Sequence, residues 1–375
     1  MHRYICLLKC LFIAFNLVDD AYGLEIRDEL QHIAQIPLST APQFVSKDAP
    51  WGLTTYANVP YVPCLSKKQG LDYDIAILGA PFDTGTTGRP GARFGPRAIR
   101  SGSIGINSGW SVFTGENVFQ SNAKIVDCGD VPMTRLDNTV ALKQLETGHK
   151  AVTARSPTSR DLSPFPRIIN LGGDHTTTLS ALRAAHQNWG KLSVIHFDAH
   201  IDTWDPKVVG GGISDYAAVN HGTFLHIAHE EGLVTNSSIH AGIRAPLARP
   251  VKDLENDRRC GFEFLTARDL DRLGTAGIIE RLKARVGNAN VYVSVDIDVL
   301  DPAYAPATGT AQPGGWTTRE LLIILDGLAG LKVVGADVVE VAPAYDGTGE
   351  ITGLAAAEIV QSLLYLMVKT PLATD

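Results

Sequence analysis

Cysteine is scarce, at five among 375 residues, and glycine, though frequent at 36, follows no three-residue period. A disulfide-dense scaffold and a collagen-like fibre are thereby excluded. Positive charge is in deficit: 33 Lys and Arg face 40 Asp and Glu, a net charge of −7, where a nucleic-acid binder shows a basic excess. No uninterrupted apolar run approaches the ~20 residues of a membrane span. The stretch at 5–18 is broken by Lys9 and Asn16, and that at 363–368 is too short. What is abundant is apolar side chain, 45% of the chain. That suffices for a large core and is contrary to a disordered polymer.

Residues 1–23 differ from the rest. Arg3 and Lys9 supply positive charge, the apolar stretch follows, and Ala21 and Gly23 are small residues placed for signal-peptidase cleavage. The pattern predicts a secretory signal and a protein outside the cell; the alternative is an N-terminal arm on a cytoplasmic protein. Cleavage removes Cys6 and Cys10 and leaves Cys64, Cys128 and Cys260, which allow at most one bridge. Cys128 follows the apolar run 124–127 and reads as a buried thiol. Asn236-Ser237-Ser238 is an N-glycosylation sequon, of consequence only if the chain is exported.

Residues 24–70 show no clear period and read as an N-terminal arm. From 71 to 375 the chain alternates. Apolar, β-branched runs of strand length occur at 74–78, 124–127, 167–171, 192–197, 238–242, 262–265, 291–295 and 333–341. Helix-length segments lie at 137–154, 176–189, 276–286, 319–328 and 353–368. Continuous apolar strands alternating with helices predict one α/β domain, a three-layer α/β/α sandwich around a mostly parallel, doubly wound sheet.

In such sheets function gathers at the carboxyl ends of strands. Three strand ends here carry acidic and imidazole groups. Asn170-Leu171-Gly172-Gly173-Asp174-His175 ends a strand in a glycine turn, with Asp174 suited to starting a helix and His175 free to ligate. In His196-Phe197-Asp198-Ala199-His200-Ile201-Asp202, the side chains of Asp198, His200 and Asp202 share one face of an extended backbone. In Asp296-Ile297-Asp298-Val299-Leu300-Asp301-Pro302, Asp296 and Asp298 do the same. Burying unpaired carboxylates side by side is costly, so a cation must offset them or they must protonate. Two divalent cations would neutralise four aspartates beside neutral His175 and His200. Oxygen donors with two imidazoles and no thiolate favour Mn²⁺, with Zn²⁺, Ni²⁺ or Co²⁺ also suited by ligand type.

The segments 172–175, 197–202 and 294–302 resemble the three signature motifs of the ureohydrolase family, the arginases and agmatinases. The resemblance extends to Gly79-Ala80-Pro81-Phe82-Asp83, to the loop Arg89-Pro90-Gly91-Ala92-Arg93-Phe94-Gly95-Pro96, to His221-Gly222-Thr223, and to 337–343 with Glu340. In order and spacing it covers about residues 70–370, and the arm at 24–70 has the place of the agmatinase-type N-terminal segment. It implies a binuclear manganese hydrolase that cleaves a guanidino group to urea and an amine. By position, His175, Asp198, Asp202 and Asp296 would hold one Mn²⁺. His200, Asp198, Asp296 and Asp298 would hold the other. A water between the two ions would ionise near neutral pH and attack the guanidinium carbon. His221 resembles the family's proton-shuttling histidine, and Glu340 the acid that pairs with the guanidinium. The resemblance also implies a homo-oligomer, trimer or hexamer, with a small guanidino molecule as partner.

The loop at 85–95 is glycine-rich but lacks Gly-Lys-Ser/Thr, so it reads as a substrate-side or subunit-contact loop rather than a phosphate cradle, with Arg89, Arg93 and Arg97 structural. The stretch 203–216 is longer than in many agmatinases and is expected to shape the substrate tail pocket. There Asp205, Asp215 and Tyr216 would suit an ammonium, and Lys207 a carboxylate. Agmatine is therefore the first expected substrate and guanidinobutyrate the second, with free guanidine or arginine behind. Readings of another class are a metal-dependent deacetylase on a related fold and a non-catalytic binding protein.

Overall fold

The computed structural model describes residues 53–66, 72–106 and 110–372. The signal sequence expected at 1–23 and most of the arm expected at 24–70 lie outside the described residues.

Eight strands form one sheet: β1 (Ile75–Gly79), β2 (Ile125–Asp130), β3 (Arg167–Leu171), β4 (Ser193–Phe197), β5 (Ser238–Ile243), β6 (Phe262–Thr266), β7 (Asn290–Asp296) and β8 (Lys332–Val339). Every pairing is parallel, and the order is β2-β1-β3-β8-β7-β4-β5-β6. The helices are α1 (Gly95–Gly102), α2 (Asn138–Thr153), α3 (Thr177–Trp189), α4 (Asp215–Ala218), α5 (Phe224–Glu230), α6 (Pro250–Arg259), α7 (Asp269–Val286), α8 (Thr318–Gly327) and α9 (Ile351–Lys369).

Strand alternation sorts the core into layers. Ile75 and Ile77, Ile195 and Phe197, and Val291, Val293 and Val295 face one cluster with apolar residues of α7, α8 and α9. Val194, Tyr292 and Val334 face another with Leu179 and Leu182 of α3 and Phe224 of α5. Local signals set the helix ends. The Asp137 side chain accepts from Val140 N–H to start α2, and Thr317 and Glu320 form a capping box on α8. Helix α7 is kinked at Gly274 (φ 64°, ψ 174°): the piece after the kink matches the segment expected at 276–286, and the short piece before it, from Asp269, was not expected.

Two expectations are corrected. The apolar run 363–368 belongs to α9, which at 19 residues is long and apolar enough to cross a membrane; yet 67% of its apolar window is buried inside the protein. It is the core helix of the α7–α9 layer. Cys128 is not a free thiol but is bridged to Cys64, whose Cα lies 5.3 Å away. The segment before β1 runs along the outer edge of β2, where Val62 N–H donates to Asp127 O (2.9 Å) and Asp127 N–H to Pro60 O (3.0 Å). That pairing covers an open sheet edge and brings the two cysteines together. Cys260 is buried and free.

Candidate metal centre

The expected site residues follow four strands that are neighbours in the sheet. His175 follows β3, Glu340 follows β8, Asp296 ends β7 with Asp298 just beyond, and Asp198, His200 and Asp202 follow β4. The parallel order therefore brings chain segments more than 100 residues apart to one carboxyl edge. Asp198, Asp202, Asp296 and Asp298 are all buried, as are His175, His221 and Glu340; His200 is partly exposed.

His175 Nδ1 lies 3.1 Å from Asp198 Oδ2, 3.2 Å from Asp202 Oδ2 and 3.3 Å from Asp296 Oδ2. His200 Nδ1 lies 3.2 Å from Asp198 Oδ1 and 3.1 Å from Asp298 Oδ2. Asp198 thus turns one oxygen to each imidazole. Asp296 turns Oδ2 to His175 but uses Oδ1 to accept from Asp298 N–H (2.8 Å).

The hydrogen bonds behind His175 define what its Nδ1 can be. Tyr292 and Thr178 hydroxyls donate to Asp337 Oδ2, and Ser294 Oγ donates to Asp337 Oδ1 at 2.6 Å. With its one hydrogen so used, Ser294 Oγ accepts from His175 Nε2–H at 2.8 Å. Nδ1 is then bare, with three carboxylate oxygens within 3.3 Å of it and none aligned with it, a crowding that is repulsive unless a cation, proton or metal, sits among them. His175 Nδ1, His196 Nε2 and Asp198 Oδ2 are also buried polar atoms without an aligned hydrogen-bond partner. These residues fit a metal ion.

The acid–base character agrees. Burial alone would lower His175 and His200, but the surrounding carboxylates raise both well above their usual range. Burial, then neighbouring negative charge, raises Asp296 well above the carboxylate range and Asp202 to about 6. Asp198 alone is held low, against its burial, by the histidines around it. Cations at this cluster would replace shared protons.

His221 and Glu340 form the adjoining wall. His221 Nδ1 is 3.0 Å from Glu340 Oε1, and its Nε2 meets Thr87 N–H (3.0 Å) and Oγ1 (2.8 Å). Glu340 Oε1 also accepts from His175 N–H (2.9 Å), whereas Oε2 is buried without a partner. Asp202 (φ 52°) and Glu340 (φ 62°) are two of the five non-glycine residues with left-handed backbone among the described residues. Such strain concentrates where a side chain must be aimed.

The expected tail-pocket residues have other tasks here. Asp205 accepts from Lys207 N–H (2.9 Å), and the Tyr216 hydroxyl accepts from Asn138 N–H (3.0 Å) at the start of α2. Arg89 stacks over Tyr345 and donates to Thr308 O, while Arg93 pairs with Asp83.

Sequence reasoning missed His196, Asp337 and Ser294. His196 has its ligand atom within 4.8 Å of those of His175, Asp198 and Asp202. Its signal was the same alternation, extended one step back into β4. Asp337 and Ser294 sit opposite each other in β8 and β7, a relationship only strand order creates. Asp174 accepts from Gly85 N–H (2.8 Å) and Thr176 N–H (3.0 Å), and burial raises it to about 7.

Comparison with known proteins agrees with this architecture. The Arginase family model matches residues 73–365. A Schizosaccharomyces pombe protein named "Putative agmatinase 1" is 54% identical over 331 residues, covering 85% of this chain and 83% of its own length. The agmatinase of Neisseria meningitidis serogroup C is 39% identical, over 78% of this chain and 87% of its own. The solved structure of proclavaminate amidinohydrolase from Streptomyces clavuligerus matches with a TM-score of 0.74 at 37% identity, covering 86% of this chain and 98% of that one.

Proposed function

The chain belongs to the Arginase family, and from that premise we propose that it is a binuclear manganese hydrolase cleaving agmatine to urea and putrescine. The observation that carries the two-ion reading is Asp198, whose Oδ2 faces His175 and whose Oδ1 faces His200. His175, Asp198, Asp202 and Asp296 would hold one ion; His200, Asp198, Asp296 and Asp298 the other. The oxygen-rich donor set favours Mn²⁺. Two such ions, when bound, supply the charge that lets water ionise near neutral pH and that stabilises a developing tetrahedral centre.

The protein's own residues do the rest. Glu340 Oε2, buried and unpartnered, takes the N–H groups of a guanidinium, for which a carboxylate is the natural acceptor. Glu340 Oε1 holds His221 Nδ1. The proton for the departing amine would pass from His221 Nε2 once that atom, which accepts from Thr87 N–H in this structure, is protonated and turned to the substrate. Agmatine as substrate is supported by the agmatinase names of relatives at 38–54% identity.

The same reading includes a homo-oligomer of three or six copies and export from the cytoplasm. The Cys64–Cys128 bridge suits an oxidising compartment. N-terminal sequencing of mature protein and light scattering test these two points. The central test is urea release by Mn²⁺-loaded protein from agmatine, 4-guanidinobutyrate and arginine. Urea and putrescine from agmatine are expected, with agmatine preferred. Faster release from guanidinobutyrate would replace the substrate. No urea from any guanidino compound, despite bound metal, would overturn the reading in favour of a binding protein or a deacetylase.

A further inference from the structure

β5 lies beside β4, on the side away from β7, and the chain that leaves it reaches back across the end of β4. Gly242 (φ 105°) permits the approach: a Cβ there would fall 2.5 Å from Val299 Cγ2 and 3.0 Å from Asp198 O. Two residues on, Arg244 joins the ends of β4 and β7. Its backbone N–H donates to Ala199 O (3.0 Å), as does that of Ala245 (2.9 Å), which holds the backbone between Asp198 and His200. Its guanidinium donates to three successive carbonyls, Asp298 O (2.5 Å), Val299 O (3.2 Å) and Leu300 O (3.2 Å). It also donates to Gln312 O (2.7 Å) and Gly242 O (3.2 Å). Gln312 lies two residues after Thr310, whose hydroxyl donates to Asp298 Oδ2 (3.3 Å). Asp298 Oδ1 in turn accepts from Ala199 N–H (3.1 Å).

The ligands of the centre are not all held in the same way. Asp296 is the last residue of β7 and pairs with Val339 of β8, and Asp198 N–H donates to Ala241 O of β5 (3.0 Å), so neighbouring strands fix both. Asp298 lies beyond β7, in the single 3₁₀ turn Ile297–Val299, which the strand pairing does not reach. We propose that Arg244 is a positioning residue for one ion of the pair: it clasps the segment carrying Asp298 to the segment carrying His200, so the ion between those two ligands depends on it and the ion at His175 does not. Asp298 Oδ2 and His200 Nδ1 stand 3.1 Å apart, and their separation is set by the two backbones that Arg244 joins. A planar guanidinium suits the task because its fork of donors serves several carbonyls at once and keeps its charge. Without it those carbonyls lose their donor, and nothing of equal reach ties the turn to β4. The inference rests on the two-ion reading.

The test follows Mn²⁺ retention by the full chain against a graded chelator, with electron paramagnetic resonance as a second readout. Wild type is expected to hold two equivalents as a spin-coupled pair. In Arg244→Gln and Arg244→Lys one equivalent is expected to leave about 10- to 100-fold more readily, the other to stay at wild-type affinity, and the signal to become that of an isolated ion. The double variant Arg244→Gln/Asp298→Ala is expected to keep one equivalent, like Asp298→Ala alone, because both changes act on the same ion. Wild-type retention in Arg244→Gln would overturn the proposal. So would equal weakening of both equivalents, which would mean a general structural role, and loss of both ions in the double variant. Full retention in Arg244→Lys would overturn it too, since charge rather than the fork would then suffice. Should Arg244→Gln fail to fold, Arg244→Lys, which keeps a cation in place, decides on the same readouts. Wild-type protein that holds fewer than two equivalents would sink the two-ion reading and this inference with it, whereas the other failures leave that reading intact.

Discussion

The ring of His221 is held between Glu340 and Thr87, with Nδ1 3.0 Å from Glu340 Oε1. Burial alone would lower this imidazole, but the hydrogen bond and charge of Glu340 raise it to about 9. That shift favours the acid form a donor to a leaving amine needs, and reaching it requires Nε2, which accepts from Thr87 N–H in this structure, to take up a proton. Glu340→Gln keeps the shape and removes the charge. The His221 value then falls towards its ordinary ~6.5, so the alkaline limb of kcat/KM moves to lower pH. Turnover also drops by about 10²- to 10³-fold as the guanidinium loses its anion. An alkaline limb that stays in place would contradict the pairing.

Metal stoichiometry separates the ligands. Asp198 faces both imidazoles, whereas Asp298 meets only His200. Asp198→Ala is expected to lose both ions with all activity; Asp298→Ala is expected to keep about one equivalent, at the His175 side. His221→Ala keeps both ions and loses about 10²- to 10⁴-fold in turnover. Full metal content in Asp198→Ala would end the shared-ligand assignment.

Removing the ions tests their structural weight. Crowded carboxylates stabilise the fold only when neutralised, so chelation lowers the thermal midpoint and added Mn²⁺ restores it. At a hundredfold excess over Kd, each independent site contributes about 2.7 kcal/mol. A midpoint indifferent to Mn²⁺ would argue against a cation at this edge.

The Cys64–Cys128 bridge closes a loop with a sequence separation of 64. Chain-entropy arguments assign such a loop about 4 kcal/mol at most. The double variant Cys64→Ser/Cys128→Ser should lower the denaturation midpoint accordingly. It should leave urea release at saturating substrate unchanged, because the bridge lies at the outer edge of β2, four strands from β7.

His149 of α2 is buried and lowered by that burial to about 4. The unfolded chain takes up a proton near pH 6.5 that the folded chain refuses until about 4. Stability therefore falls as pH drops through that window and levels off below it. The contribution is about 3 kcal/mol. His149→Leu should make the acid limb of urea-denaturation stability shallower between those values; an unchanged slope would show that His149 is protonated in the folded state.

Much of this was legible from residue order, for a local reason. Strand and helix periods are set by nearest neighbours, so all eight strands appear where apolar β-branched runs stand. The alternation Asp198, His200, Asp202 foretold a shared face. Helices α1, α4, α5 and α6 escaped because they are short, and α6 is strongly charged; tertiary contacts rather than a clear apolar period hold them. His196 was passed over because a histidine inside an apolar strand resembles core.

The sequence by itself determined the strand–helix alternation and the three acidic strand ends, because backbone period and side-chain chemistry are local properties. Tertiary structure alone decided the rest. It set β3, β8, β7 and β4 side by side, joined Cys64 to Cys128 and carried Arg244 across the end of β4 to the Asp298 segment. It also bent the chain at Glu340 into a left-handed turn. Each of these depends on which distant segments share a boundary once the apolar faces are buried, and no local pattern encodes that.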